Sequence, residues 1–259
     1  MPGNSDVGAT VISFTAEDDN GVSTSTTVCI QVSLKPIFNV PPTPPNNAHL
    51  IAEPGDTVSF TAEAFDPDPN DSVTVNMVNG KDAGGATVPL YGGADFMPLP
   101  TPWGNPTSGM FEWMTSASEW GEKPVVLTAE DGNNETTEHT VPILLNTPPQ
   151  ITSTPVTNAL ANNTYSYSIM LVDPDTAYGD VLSLHDAGLP SWLSLTDLGG
   201  GKGLLSGTPG PGDVGNHSVN LVGEDVYHHQ NGTATQSFVI SVTDTGSGGG
   251  PDTGCLPWR

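Results

Sequence analysis

The chain has 259 residues, with five Lys or Arg against 29 Asp or Glu, and a formal net charge of -24. So acidic a surface argues against nucleic-acid binding, which needs Lys and Arg at the phosphates, and against docking on anionic membranes. It makes cations the natural counter-partners, and it also suits a protein that must stay soluble and monomeric.

Gly and Pro are abundant, at 30 and 25 residues, yet below the level typical of disorder. No window carries a helical stripe, whereas short alternating runs are frequent, so the expected fold class is all-β. In chain order, Ile12, Phe14 and Ala16 share one face of a strand and lead to Asp18 in "TAEDDNGVS". In "TTVCIQV", Val28, Ile30 and Val32 share a face, and Cys29 points the other way. Further on, Val58, Phe60, Ala62 and Ala64 lead to Asp66, and Val125, Leu127 and Ala129 lead to Asp131. Last come Tyr165, Tyr167, Ile169 and Leu171 leading to Asp173, then Val219, Leu221 and Gly223 leading to Asp225. Side chains alternate along a strand, so each Asp continues the core-facing row just past the strand end.

Spacing exposes a repeat. Asp18, Asp131 and Asp225 each follow a glycine (Gly8, Gly121, Gly215) by ten residues. Gly109 and Gly203 stand twelve residues before the second and third of those glycines. The front halves agree too, with nine steps from Thr57 to Asp66 and nine from Thr164 to Asp173. The chain therefore divides into residues 1–36, the back half of a module; 37–147, a full module with an insertion around "KDAGGATVPLYGGADFMPLPTPWGNP"; 148–244, another full module; and a Gly/Ser-rich tail, 245–259, expected to be flexible. The joints "KPIFNVPPTPPNN" and "NTPPQIT" are Pro-rich and semi-rigid. About 100 residues of short strands per module suggest β-sandwiches. A strand pair alone is unstable in water, so the first 36 residues imply a piece of a longer protein or completion by another chain.

"ITSTPVTNALANNTYSYSIMLVDPD", "GLPSWLSL", "GLLSGTP", "DVGNHSVNLVGED" and "TATQSFVISV" together resemble the dystroglycan-type cadherin-like and "putative immunoglobulin" tandem repeats of bacterial and archaeal surface proteins. The resemblance covers residues 148–244 well, residues 1–36 as a back half, and residues 37–147 more loosely. It implies extracellular tandem sandwiches, often calcium-binding, adhesive or spacer-like, and no enzyme.

In such a sandwich the strands ending on Asp66 and Asp173 are B, and those ending on Asp131 and Asp225 are F, so their following loops meet at one end. Asp66 should approach Asp131, and Asp173 should approach Asp225. Paired carboxylates repel, and few basic residues exist to neutralise them, whereas Ca2+ takes six to eight oxygens. Asp68, Asp71, Asp175 and Asp180 in the B–C loops add oxygens, and Glu130 and Glu224 precede the F-strand aspartates. Asn146 in "LNTPP" is placed to donate to the third module's site, and Asn39 in "FNVPP" to the second's, much as cadherin-like linkers use an Asn before Pro. The competing account is turn chemistry, since Asp next to Pro or Gly bonds its own backbone.

His228 and His229 lack a third ligand at metal spacing, and no nucleophile elbow or phosphate loop occurs. Trp113 and Trp192 read as core; Trp103 and Tyr91 read as loop packing or a sugar platform. Cys29 and Cys255 define no disulfide framework. The opening residues do not read as a signal peptide, and no apolar run is long enough to insert in a membrane. The expected function is a non-enzymatic, calcium-stiffened segment of a secreted or cell-surface adhesin, stalk or fibre. Its expected partners are neighbouring repeats or subunits of the same protein, with surface glycans or another cell surface as candidates. The alternatives are a carbohydrate-binding module of a secreted polysaccharide-degrading enzyme and a self-polymerising filament subunit.

Overall fold

A computed structural model describes residues 8–68, 71–81, 87–88, 92–99, 104–227 and 232–244. The chain is all-β and divides between Leu145 and Asn146 into two compact units. The first unit holds the half-module and the second module together. The division falls two residues before the boundary expected from the sequence, so Asn146 and Thr147 belong with the third module.

The first unit opens with β1 (Gly8–Glu17) and β2 (Ser23–Val32), an antiparallel hairpin forming a two-stranded sheet. The sandwich that follows uses β3 (Ile37–Phe38), β4 (Leu50–Ala52), β5 (Thr57–Phe65), β6 (Val73–Lys81), β7 (Thr87–Val88), β8 (Ala94–Pro98), β9 (Thr107–Met114), β10 (Gly121–Asp131) and β11 (Thr136–Leu145). One sheet runs β3-β5-β9-β8 and the other β4-β11-β10-β6-β7. These are the A-B-E-D and A′-G-F-C-C′ orders of an immunoglobulin-like sandwich. The stretch expected to be an insertion supplies ordinary sheet members, β7 and β8, at the C′ and D positions. Val58, Phe111, Trp113, Leu127, Val141 and Ile143 lie in the core between the sheets.

The second unit repeats the plan with β12 (Gln150–Ile151), β13 (Asn158–Leu160), β14 (Tyr165–Val172), β15 (Leu182–Asp186), β16 (Leu193–Gly199), β17 (Lys202–Gly207), β18 (Gly215–Asp225) and β19 (Thr233–Thr243). Its sheets run β12-β14-β17-β16 and β13-β19-β18-β15. The alternation read from sequence is literal: burial along β14 goes buried, exposed, buried from Tyr165 to Val172. Tyr165, Ile169, Leu171, Leu205, Leu221 and Ile240 fill the core, while Trp192 packs at its margin against Tyr165 and His217.

The repeated glycines have separate physical reasons. Gly8, Gly121 and Gly215 all take positive φ (111°, 77° and 137°) as the chain swings into the F strand, a backbone region that favours glycine. Gly109 and Gly203 lie near the start of the E strands, where a Cβ would run into Phe96 of the neighbouring strand β8 or into Leu184 of the facing sheet.

Cys29 is exposed, on the face of β2 opposite Val28 and Ile30, as expected. Cys255, the tail 245–259, His228, His229, Tyr91 and Trp103 lie outside the described residues. Among the described residues, no helix is long and apolar enough to cross a membrane.

Candidate metal centre

In the second unit the apolar rows of β14 and β18 run out side by side at one end of the sandwich. The next positions on those rows are Asp173 and Asp225, buried at 7% and 2% relative exposure. Pro174 starts a 3-10 turn over Pro174–Tyr178, and Asp173 caps it, its Oδ1 accepting from the Asp175 amide at 2.7 Å. The turn closes at Gly179 in the left-handed region and delivers Asp180 to the same corner. Asp180 Oδ1 accepts from the Val181 amide at 2.7 Å and the Val226 amide at 3.0 Å, tying the B–C loop to the F–G loop. One ligand oxygen each from Asp173, Asp180 and Asp225 all lie within 4.8 Å of one another.

The linker enters at this corner, as the sequence suggested. Asp175 Oδ2 accepts from the Thr147 amide at 2.6 Å, and Asn146 Nδ2 reaches Asp225 Oδ2 at 3.5 Å. Asn146 and Asp175 are each 1% exposed. Asp173 Oδ2 and Asp180 Oδ2 are buried oxygens that accept no hydrogen bond. Among the described residues, no Lys or Arg forms an ion pair with Asp173, Asp175 or Asp180. Burial, reinforced by the charges of Asp175, Asp180 and Asp225, pushes the Asp173 carboxyl up from 3.8 to about 6. Burial also raises Asp175, with Asp180 adding to the rise.

A buried carboxylate oxygen without a donor is costly, and bringing three buried carboxylates close together costs more. The donor set fits a hard divalent cation. It is all oxygen, it carries excess negative charge, and it combines carboxylates with an amide from the linker, which suits Ca2+ better than a metal seeking nitrogen or sulfur.

The first unit holds a matching corner. Asp66 and Asp131 are buried at 3% and 6%. Asp66 Oδ1 accepts from the Asp68 amide at 2.7 Å, as Asp173 does from Asp175. Asp71 Oδ1 accepts from the Gly132 amide at 3.0 Å, as Asp180 does from Val226. Asp68 Oδ2 accepts from the Leu34 amide at 3.1 Å and from Ser33 Oγ at 3.3 Å, as Asp175 does from Thr147. Asp66 Oδ2, Asp68 Oδ1 and Asp131 Oδ2 are buried without a hydrogen-bond partner. Burial, with Asp68, Asp131 and Asp71 nearby, raises the Asp66 carboxyl. This corner is looser: among the described residues, only the second unit brings three acidic ligand atoms within 4.8 Å of one another.

Three sequence expectations change. Glu130 and Glu224 do not join the aspartates, because strand alternation turns them to the opposite face; the Glu224 carboxylate meets His185 Nε2 at 3.1 Å. Asn39 does not play the part of Asn146. Its amide donates to Glu63 Oε1 at 2.6 Å, and Ser33 stands in the linker position instead. Turn chemistry also leaves one carboxylate oxygen unused. Asp131 Oδ1 accepts from the Asn133 and Glu135 amides, each at 2.8 Å, while Oδ2 stays inside without a partner. Asp18 makes the same turn, accepting from Asn20 and Val22 at 2.9 Å each, but on an exposed hairpin.

Two residues of the first corner were missed from sequence. Asn105 Oδ1 accepts from the Asp66 amide at 2.9 Å, and its Nδ2 donates to the Asp66 carbonyl at 2.8 Å, so it fixes the B–C loop. Asn133 Nδ2 donates to Asp71 Oδ2 at 2.6 Å and to Ser33 Oγ at 3.0 Å, linking the F–G loop to the entering linker. Asn133 had a signal, as the second residue after the F-strand Asp; Asn105 had none.

The family described as "Putative Ig domain" matches residues 148–243, so the third module is an Ig-like domain. Among solved structures, the chain is similar to endo-fucoidan hydrolase MfFcnA4 (H294Q) of glycoside hydrolase family 107, at 18% identity and TM-score 0.32, over 93% of this chain and 35% of that one. It is similar to the extracellular cadherin domains 3–6 of protocadherin gamma B2, at 17% identity and TM-score 0.42, over 91% of this chain and 60% of that one. It is also similar to the titin Ig tandem A164–A165, at 10% identity and TM-score 0.31, over 81% of this chain and 97% of that one. The chain spans about a third of the length of the fucoidan hydrolases it matches. No curated protein matches it.

Proposed function

We propose that this chain is a non-enzymatic segment of a secreted or cell-surface protein, an array of Ig-like modules in which Ca2+ fixes each linker to the module it enters. Its role is that of a stalk, fibre or adhesin segment, with neighbouring modules or subunits of the same protein as partners. The observation that carries this reading is the buried group of Asp173, Asp180 and Asp225, which bring one oxygen each within 4.8 Å of the others, with buried Asp173 and Asp180 oxygens that accept no hydrogen bond. Asn146, Asp175 and Thr147 place the linker on that same group. Asp66, Asp68, Asp71 and Asp131 repeat the arrangement where the first linker enters. A feature built twice at the same structural position suits architecture better than catalysis.

The test is thermal unfolding of the whole chain in calcium and in excess chelator. The reading expects the melting temperature to rise in calcium by roughly 10 °C, the stabilisation of about 2.7 kcal/mol that a ligand at a hundred times its Kd confers on a 100-residue domain. Identical melting in both conditions would overturn it.

A further inference from the structure

The β1–β2 hairpin has the register of a module's back half. Gly8 pairs with Val32, Thr10 with Ile30, Ile12 with Val28 and Phe14 with Thr26. Counted from the three positive-φ glycines, the corresponding pairs are Gly121 with Leu145, Lys123 with Ile143 and Val125 with Val141, then Gly215 with Val242, His217 with Ile240 and Val219 with Phe238. Position by position, Ile12, Phe14 and Ile30 therefore match Val125, Leu127 and Ile143, and also Val219, Leu221 and Ile240.

Their surroundings differ sharply. In the complete modules those six residues are at most 2% exposed, whereas Ile12, Phe14, Val28 and Ile30 are 38%, 57%, 47% and 44% exposed. The complete modules show what covers this face: the sheets β3-β5-β9-β8 and β12-β14-β17-β16, each made from the front half of the same module. They also show what covers the edges. A short parallel strand pairs with the outer edge of β11 at Ile143–Leu145 and with that of β19 at Ser241–Thr243. An antiparallel strand pairs with the outer edge of β10 and of β18. Among the described residues, the β1–β2 sheet has neither neighbour.

We infer that this hairpin is a docking surface for the missing front half of its own module, of the same fold, carried ahead of Gly8 in the same polypeptide as β9 and β17 stand to β10 and β18. Its A′ strand would run parallel to β2 at Ile30–Val32, its C strand antiparallel to β1, and its A-B-E-D sheet over Ile12, Phe14, Val28 and Ile30. A second copy of the chain fits less well. Its two front halves are already closed by their own hairpins, and a second hairpin laid face to face would leave all four edges open. The inference stands apart from the cation reading, since it uses none of the acidic corners.

The test grafts a front half ahead of Gly8 in the full chain, in two versions, residues 37–120 and residues 148–214, and follows hydrogen exchange across residues 8–32. Expected is protection of at least about tenfold in one graft or both, as burial and edge pairing slow local opening, and its loss when Ile30→Asp is added. Exchange as fast in both grafts as in the ungrafted chain overturns the inference. Sedimentation of the ungrafted chain is the second arm. Monomer is expected, and a concentration-dependent dimer abolished by Phe14→Asp assigns the face to a second copy and overturns the inference as well.

Discussion

Replacing Asp173 with Asn separates a cation site from ordinary turn chemistry, because it should act in opposite directions with and without calcium. The side chain keeps its turn role, since an amide oxygen can still accept from the Asp175 amide as Asp173 Oδ1 does. Its second atom becomes an N–H donor in a group with Asp180 and Asp225, where Asp173 Oδ2 has no partner. Without metal, ionising Asp173 at pH 7 is opposed by burial and by its acidic neighbours, which raise it from 3.8 to about 6. That rise corresponds to about 3 kcal/mol that the amide does not cost. In chelator, the third module of Asp173→Asn should therefore melt about 10 °C higher than the native module, on the usual scaling for a 100-residue domain. In calcium the order should invert, because the variant lacks a carboxylate ligand and gains little from the ion. Differential scanning calorimetry of both proteins in both conditions reads this directly. A variant destabilised equally in chelator and in calcium would refute the reasoning, leaving Asp173 a structural turn residue and nothing more.

Other outcomes follow from the same geometry. In chelator the stability of the third module should fall as pH rises from 5 to 7. A carboxyl whose folded pKa is raised to about 6 favours the fold while protonated, and that advantage is lost as pH climbs through the folded value. In calcium the trend should reverse, since the ion needs the proton gone; urea denaturation across that range checks both. Asp18→Ala should leave the calcium response of the chain unchanged, because Asp18 sits on an exposed hairpin and, among the described residues, its carboxylate accepts only from its own turn amides. Gly207→Ala should destabilise the third module by about 1–3 kcal/mol, the usual range for overpacking, because its Cβ would collide with the Trp192 carbonyl, which is backbone and cannot step aside. Chemical denaturation measures that loss.

Strands were legible where alternation survives, as in β9, β14 and β18. Tyr165 to Leu171 and Val219 to Gly223 could be placed on the core face from sequence, and the aspartates that end those rows went with them. The pairing of Asp66 with Asp131 and of Asp173 with Asp225 followed from the B and F assignment. The same rule, applied to the neighbouring positions, would have turned Glu130 and Glu224 outward; their nearness in sequence to Asp131 and Asp225 hid that. The linker residue was legible in one module only. Asn146 lies four residues before Gln150, where β12 starts, and Ser33 lies four residues before Ile37, where β3 starts. Asn39, although a Pro-rich run follows it, comes after β3 and has already passed the corner. What sets the linker residue that reaches the corner is the count back from strand A, and a two-residue strand leaves almost no trace in a sequence. Asn105 was illegible for a different reason. Its contact with Asp66 spans 39 residues, with β6, β7 and β8 between them, and no local pattern reports on it.

The central claim is that the corner of Asp173, Asp175, Asp180, Asp225 and Asn146 binds calcium. Isothermal titration calorimetry of Ca2+ into the chelator-stripped chain at pH 7.5 tests it most directly. The account predicts saturable binding, weakened at pH 5 as Asp173 takes up its proton, and lost from the third module in Asp225→Asn. Heats no larger than dilution at both pH values, or saturable binding that Asp225→Asn and Asp173→Asn leave untouched, would contradict it.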